Sequence, residues 1–259
     1  MGTVRELWAF RELFYFFVLR DLKVRYKQTV LGIAWAVLQP FFTMTIFTVI
    51  FGHFANLPNN GTPYPIFYFC ALVPWTFFST AITNASNSLI LNADLLTKIY
   101  FPRVILPSSA ALSGAIDFAV ASVFLASMII YYELDVGVSL CLWPLLLLPL
   151  MLLSLGVGMI LAALNVRYRD VKYVVPFGIQ LWFFVTPIIY PPGLVPERYQ
   201  WLFRLNPMSG IIEGFRYSVV PALGMRWDDL GTSLLASAAV FLVGFAFFKR
   251  NEKAFADFV

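Results

Sequence analysis

Charge is what this sequence has least of. Aspartate, glutamate, lysine and arginine make up 12% of its 259 residues, while 60% are hydrophobic; soluble domains carry roughly 25% charged residues. With a mean hydropathy of +0.79, that shortage excludes a soluble fold and makes the chain an integral membrane protein. Every long stretch holds a strong apolar run, so no large soluble domain is expected. Histidine occurs once, as His53, and the carboxylates are dispersed, which leaves no recognisable acid–base pair. The two cysteines, Cys70 and Cys141, lie far apart in apolar surroundings and read as inert packing residues rather than a disulfide or a metal site. No GxxxxGK[ST] phosphate loop, HExxH, GxSxG or metal-spaced Cys/His cluster occurs. Energy from a nucleotide would therefore have to enter through another chain. Asp117 stands alone within its span, without the regular charges of an ion-coupled pump, and the chain shows no two similar halves of the kind secondary transporters carry. The start, MGTVRELWAF, lacks a secretory signal's apolar core and cleavage site, so the N-terminus is expected to be retained. The net charge of +4 reflects where basic residues sit relative to a bilayer and is no sign of nucleic-acid binding.

What is present is a series of apolar runs, read as a single all-α transmembrane domain over 1–259. Residues 1–30 form an amphipathic lead-in: Phe10, Leu13, Phe14, Phe17 and Val18 recur at helical spacing, and Leu22, Tyr26 and Val30 extend that face. Arg20, Lys23 and Lys27 fall opposite, and Asp21 and Arg25, four apart, can pair. Such a helix lies on the membrane surface. Spans are expected at about 31–54, 66–88, 104–131, 140–164, 174–190 and 230–248. His53 reads as an interfacial hydrogen-bonder. In the second span Thr76, Thr80, Thr83, Asn84 and Asn87 share one face, which suits either interhelical hydrogen bonds or the wall of a hydrated pathway. Asp117 should face the bundle interior, since a lone carboxylate in the bilayer costs ~2.5–3.5 kcal/mol. Ser154, Gly158 and Ala162 place a small residue at every fourth position of the fourth span, a close-packing pattern. Between the second and third spans, LILNADLLTKIYFPR should hold a short helix capped by Asn92 or Asp94 and ended by Pro102. That loop is unusually apolar and needs something to dock into, most simply another protein.

The stretch 174–223 breaks the rhythm. A short span, ~25 Å long at 1.5 Å per residue, runs into Pro191, Pro192 and Gly193, and the chain then stays apolar and aromatic without forming another span. Asn206 is a natural N-cap and Pro207 a natural first helical residue. Met208, Ile211, Ile212, Phe215 and Val219 follow on one face, with Glu213 and Arg216 on the other. Residues 191–223 are read as a re-entrant helical hairpin lining or closing the outer mouth of a pathway.

Orientation follows from the basic residues. Arg5, Arg11, Arg20, Lys23, Arg25 and Lys27 precede the first span; Lys98 and Arg103 lie in the second loop; Arg167, Arg169 and Lys172 in the fourth; Lys249, Arg250 and Lys253 in the tail. The first and third loops have none, and the four arginines of the fifth loop are balanced by Glu197, Glu213, Asp228 and Asp229. Six spans with both termini cytoplasmic result, which puts the hairpin on the periplasmic side.

LRDLKVRYKQTVLGIAWAVLQP at 19–40, FPRVILP at 101–107, NVRYRDVKYVVPFGIQLWFFVTPIIYP at 165–191 and NPMSGIIEGFR at 206–216 together resemble the membrane permease of bacterial ATP-binding-cassette exporters for surface polysaccharides. The likeness is strongest to O-antigen (lipopolysaccharide) exporters, with capsule and teichoic-acid exporters as relatives. It implies a homodimer in the bacterial inner membrane. A nucleotide-binding ATPase subunit, in two copies, would carry ATP and magnesium, with no cofactor on this chain. It implies a coupling helix at the partner's cleft, carried by Asp94, Leu95, Lys98, Tyr100 and Arg103, with Arg167, Arg169, Asp170 and Lys172 as a second contact. The lead-in helix, with Phe14, Arg20, Lys23 and Lys27, matches the family's interface helix and meets membrane lipid. Thr80, Thr83 and Asn87, then Trp182, Phe183 and Tyr190, and in the hairpin Asn206, Glu213 and Arg216, are the channel and gate residues expected to meet a lipid-linked polysaccharide. The competing readings are the same fold with a drug or lipid as cargo, an integral-membrane glycosyltransferase or acyltransferase, and a structural scaffold.

Overall fold

The computed structural model describes residues 8–27, 29–58, 61–168, 170–252 and 255. The order along the chain is α1 (Arg11–Tyr26), α2 (Trp35–Phe47), α3 (Tyr64–Leu91), α4 (Ala93–Lys98), α5 (Ile105–Leu112), α6 (Gly114–Tyr131), α7 (Leu142–Arg167), α8 (Val171–Val185), α9 (Gln200–Leu205), α10 (Pro207–Val219) and α11 (Trp227–Asn251). Among the described residues, five helical segments are long and apolar enough to cross a bilayer: Gly32–Phe54, Tyr64–Leu91, Ile105–Tyr131, Val138–Arg167 and Trp227–Asn251. The fold is that of an all-α integral membrane protein. The fifth apolar helix in chain order, α8, is shorter, at 15 residues. It stops at Thr186 because Pro187 disfavours helical backbone in the residue before it, and Thr186 is extended at φ −89°, ψ 139°.

The centre of the bundle is α3. Its buried side chains point in nearly every direction, with Phe69, Phe78, Ala81, Ala85 and Leu89 all fully enclosed. The exception is the stripe Thr76, Ser79, Thr80, Thr83, Asn84 and Asn87, which is half-buried throughout. α7 runs parallel to α3 and lies close: a Cβ on Gly158 would stand 2.6 Å from that of Ala85. Ser154, Gly158 and Ala162 are all buried, as the small-residue spacing predicts. A second crossing has no such regular spacing to announce it. Gly156 of α7 meets Gly244 of α11, where an added Cβ would lie 2.2 Å from the Gly156 carbonyl oxygen.

The first crossing segment is loosely held, and its end winds into a π-helix over Thr48–Phe54. Gly52 abuts the Tyr64 ring there, and His53 Nδ1 lies 3.0 Å from the Thr48 carbonyl oxygen, in keeping with a hydrogen-bonding role.

Two apolar clusters mark the two ends. One joins Phe17 of α1, Leu96 and Phe101 of the second loop, Met159 of α7, and Phe248 and Phe255 at the chain's end. The larger extends to the other end and takes in α10, whose Met208, Ile211, Ile212, Phe215 and Val219 are all at 0% exposure. Kept from water, each such side chain contributes ~1.5–3 kcal/mol. α10 therefore belongs to the bundle's core, packed on α3, α7 and α11.

The amphipathic reading of α1 needs three corrections. Val30 is fully exposed because the helix ends at Tyr26 and Lys27 turns to extended backbone. Asp21 pairs with Arg20, Nη2 to Oδ1 at 2.8 Å, and Arg25 pairs with Asp117 instead of Asp21. Arg20 is not turned to solvent: its guanidinium stacks on Phe17 at 4.6 Å and donates to Asn92 Oδ1 at 2.8 Å. Phe14 is half-buried, and Lys23 and Lys27 are exposed as expected.

Candidate functional site

The coupling residues expected from the second and fourth loops gather at one end of the bundle. Asn165, two residues before Arg167, donates to the Ser86 carbonyl at 2.9 Å and to Asn87 Oδ1 at 3.1 Å, so α3 and α7 finish side by side. In the second loop Leu96 and Phe101 are buried, Leu95 is half-buried, and Lys98, Ile99 and Tyr100 are exposed, Tyr100 at 89%. An open groove runs between Leu96, Lys98, Tyr100 and Arg103. Arg103 is held from below: its backbone N–H donates to Glu252 Oε1 at 3.0 Å, and its guanidinium bonds the Glu252 carbonyl. Glu252 also takes Lys249 Nζ at 2.7 Å. Arg167 and Lys172 each lie over a neighbouring ring, Tyr168 at 5.5 Å and Tyr173 at 4.7 Å, and Asp170 occupies the N-cap position of α8 without a side-chain cap bond. Arg169 falls outside the described residues.

The expected cap of α4 is corrected in its chemistry. Asn92 holds the cap position, yet its amide donates back to the Ser88 carbonyl at 2.7 Å while its oxygen accepts from Arg20. Asp94 lies inside the first turn, where a negative charge suits the helix dipole.

The polar stripe of α3 bonds mostly to its own helix, with one bond across to α7. Thr83 Oγ1 donates to the Ser79 carbonyl at 2.8 Å, and Asn87 donates to the Thr83 carbonyl at 3.0 Å while accepting from Asn165. Thr76 and Thr80 instead face a small space lined by Pro40, Gly114 and Asp117. Asp117 follows Ile105 by twelve residues, ~18 Å along the helix, and bonds both Arg25 and the Tyr26 hydroxyl. Arg25 also donates to Ser113 Oγ at 3.1 Å. Burial, and after it the hydrogen bond to the Asp117 carboxylate, pushes the Tyr26 phenol up to about 12. The end of α1 is thus tied well up the third crossing segment, which surface amphipathicity alone does not foretell.

At the opposite end Asn206 caps α10 as expected, accepting from the Met208 N–H at 3.1 Å. The same oxygen accepts from Trp182 Nε1 at 2.9 Å, and the Asn206 amide donates to Thr186 Oγ1 at 3.0 Å. One side chain therefore fastens α8 to α10. Trp182 and Phe183 point into an aromatic seam with Phe78 and Trp75, at ring separations of 5.0 and 5.4 Å. Tyr190 donates to the Phe184 carbonyl at 3.2 Å and packs on Phe203. Glu213 and Arg216 do pair, at 2.7 Å, but Arg216 is 1% exposed and looks inward. It donates to the carbonyls of Pro187 and Ile188, each at 2.7 Å, and of Phe67 at 3.3 Å. Burial pushes the Glu213 carboxyl above its usual range, and the Arg216 guanidinium works against that shift.

Apolar helices of crossing length, polar seams inside them and a cationic end with an exposed apolar loop define a multi-pass helical membrane protein. The chain belongs to the ABC-2 type transporter family, which matches residues 12–220. It is similar to the O-antigen export system permease protein RfbA of Klebsiella pneumoniae, 28% identical over 242 residues that cover 92% of this chain and 91% of that one. The protein of the same description from Myxococcus xanthus is 31% identical over 217 residues, 82% of each chain. The polysialic acid transport protein KpsM of Escherichia coli is 24% identical over 246 residues, 91% of this chain and 92% of its own.

Proposed function

We propose that this chain is the membrane permease of an ATP-driven exporter that carries a lipid-linked, O-antigen-like polysaccharide from cytoplasm to periplasm. The observation that carries the reading is the likeness to O-antigen export permeases along nine-tenths of both chains. The polysialic acid relative makes a capsular polysaccharide the second candidate cargo. The sequence has no phosphate-binding loop, so ATP and magnesium belong to a separate nucleotide-binding subunit. Its docking surface is the groove at Lys98–Arg103 together with Arg167 and Lys172. Two copies of each subunit assemble, and the half-buried stripe of α3 from Thr76 to Asn87 faces the polysaccharide's path. In this reading that end and both termini lie in the cytoplasm of a bacterial inner membrane, which the concentration of lysine and arginine there supports. α8 completes six crossings, and 191–223 is the periplasmic re-entrant hairpin.

Deleting the gene tests this directly. Lipid-linked glycan should accumulate in the cytoplasm and surface glycan disappear, with both reversed by the intact chain. Normal surface glycan in the deletion strain would overturn the reading.

A further inference from the structure

Asn92 is a one-residue elbow between α3 and α4. It closes the C-terminal end of α3 and also occupies the N-cap position of α4. Its amide donates to the Ser88 carbonyl at 2.7 Å, in the last turn of α3, and its oxygen accepts from Arg20 Nη1 of α1 at 2.8 Å. The elbow is therefore fixed on one side by α3 itself and on the other by α1. The helix that leaves it cannot hold its own direction. α4 has six residues, well below the ~12–15 at which an isolated helix becomes stable in water. Among its described side chains only Leu96 is buried. Its line is set by its two ends.

The far end is anchored at Phe101, which is 5% exposed and lies 5.9 Å, ring to ring, from Phe17. Phe17 and Arg20 are three apart on α1 and share a face, so one surface of α1 holds both ends of the α4 loop. The Arg20 fork is itself aimed. Its Nε and Nη2 both donate to Asp21 Oδ1, at 3.0 and 2.8 Å, and its guanidinium lies 4.6 Å over the Phe17 ring. That leaves Nη1 for Asn92. A lysine cannot make these bonds together, because an ammonium has no planar fork. On the other side of the elbow, α3 carries the half-buried polar stripe from Thr76 to Asn87. Asn92 thus joins the helix proposed to meet the ATPase subunit to the helix proposed to face the glycan. We infer that Arg20 is a positioning residue for export. It holds the angle of α4 on α3, so that a shift of α4 is passed to α3 instead of being absorbed at Asn92. The inference rests on the exporter reading above and adds to it a residue that lies outside both docking loops.

The test uses the full chain with its ATPase subunit in a strain that lacks the gene. Surface glycan is measured in cells at equal permease abundance, and ATP turnover and the KM for ATP in the purified complex. Arg20→Ala should cut surface glycan roughly tenfold, the weight of one hydrogen bond with a charged donor, while ATP turnover and KM stay at their wild-type values. Arg20→Lys should fall part of the way. Adding Asn92→Asp to Arg20→Lys should recover export, because a carboxylate accepts a charge-assisted bond from the ammonium. Adding Asn92→Asp to Arg20→Ala should recover nothing. Wild-type display by Arg20→Ala, or display and ATP turnover falling in the same proportion, would overturn the positioning role. Where the alanine variant yields no complex, the lysine pair decides: equal display with and without Asn92→Asp overturns it as well. If Arg20→Ala exports normally while deletion abolishes surface glycan, the positioning role falls and the exporter reading stands. If deletion leaves surface glycan unchanged, both fall.

Discussion

The Arg216 guanidinium lies 3.8 Å over the Phe67 ring and hydrogen-bonds the carbonyl of that same residue at 3.3 Å. Its other donors reach the carbonyls of Pro187 and Ile188, which follow the C-cap residue of α8, Thr186. These carbonyls are freed because Pro187 halts the helix, and a buried chain end needs donors from elsewhere. Replacing Arg216 with Met takes this donor from the Pro187 and Ile188 carbonyls and leaves Glu213 without its cation. Thermal unfolding of the purified chain should show a loss of ~3–5 kcal/mol, the cost of breaking a buried pair from one side. Arg216→Lys should recover only part of it, since an ammonium cannot reproduce the planar fork.

The tie between α1 and α6 is open to a double-mutant cycle. Arg25 and Asp117 have side chains 25% and 20% exposed, so their coupling should fall between the ~0–1 kcal/mol of surface pairs and the larger cost of buried ones. Asp117→Asn and Arg25→Gln should each speed protease cleavage after α1, and the double variant should gain less than the sum of the two, since Tyr26 and Ser113 hold one bond each in the single variants. Fully additive effects would mean that the pair does not fasten the helix.

The Gly156–Gly244 contact predicts a sharp contrast between two glycines of one helix. Gly244→Ala drives a methyl into the Gly156 carbonyl and should cost ~1–3 kcal/mol as the helices separate. Gly231→Ala, which meets no atom within 4 Å, should be neutral or stabilise by ~0.4–1 kcal/mol through reduced freedom of the unfolded chain.

At the docking end, reversing charge at Arg167 and Arg169 should leave the ATPase subunit active while export stops. The measurements are ATP turnover in the reconstituted complex and glycan display in cells. Unchanged display in the double variant would remove these arginines from the coupling path.

How much of this was legible in the sequence depended on whether the relevant partners were near in sequence. The Asn206 cap, the apolar face from Met208 to Val219 and the small residues facing α3 follow from rules acting over a few positions, and the structure has all three. The Arg25–Asp117 tie spans 92 positions and the Arg103–Glu252 tie 149, and no periodicity foretells either. Within the site, the Glu213–Arg216 spacing announced a pair but not its direction. Arg216 turns inward because carbonyls wait at Pro187, a demand that only the folded chain reveals. Asn92 misled for a related reason: Arg20 competes for the oxygen that would otherwise cap α4.

The small apolar cluster at the proposed docking end has a mechanical consequence. Phe17, Phe101 and Phe248 belong to the first helix, the second loop and the last helix, and all are buried together. Arg103 is bonded to Glu252 just beyond them. A displacement applied at Tyr100 cannot bend that loop alone; it loads the first and last helices at the same instant. The loop is therefore packed as one body with the first and last helices rather than hung between them as a free hinge.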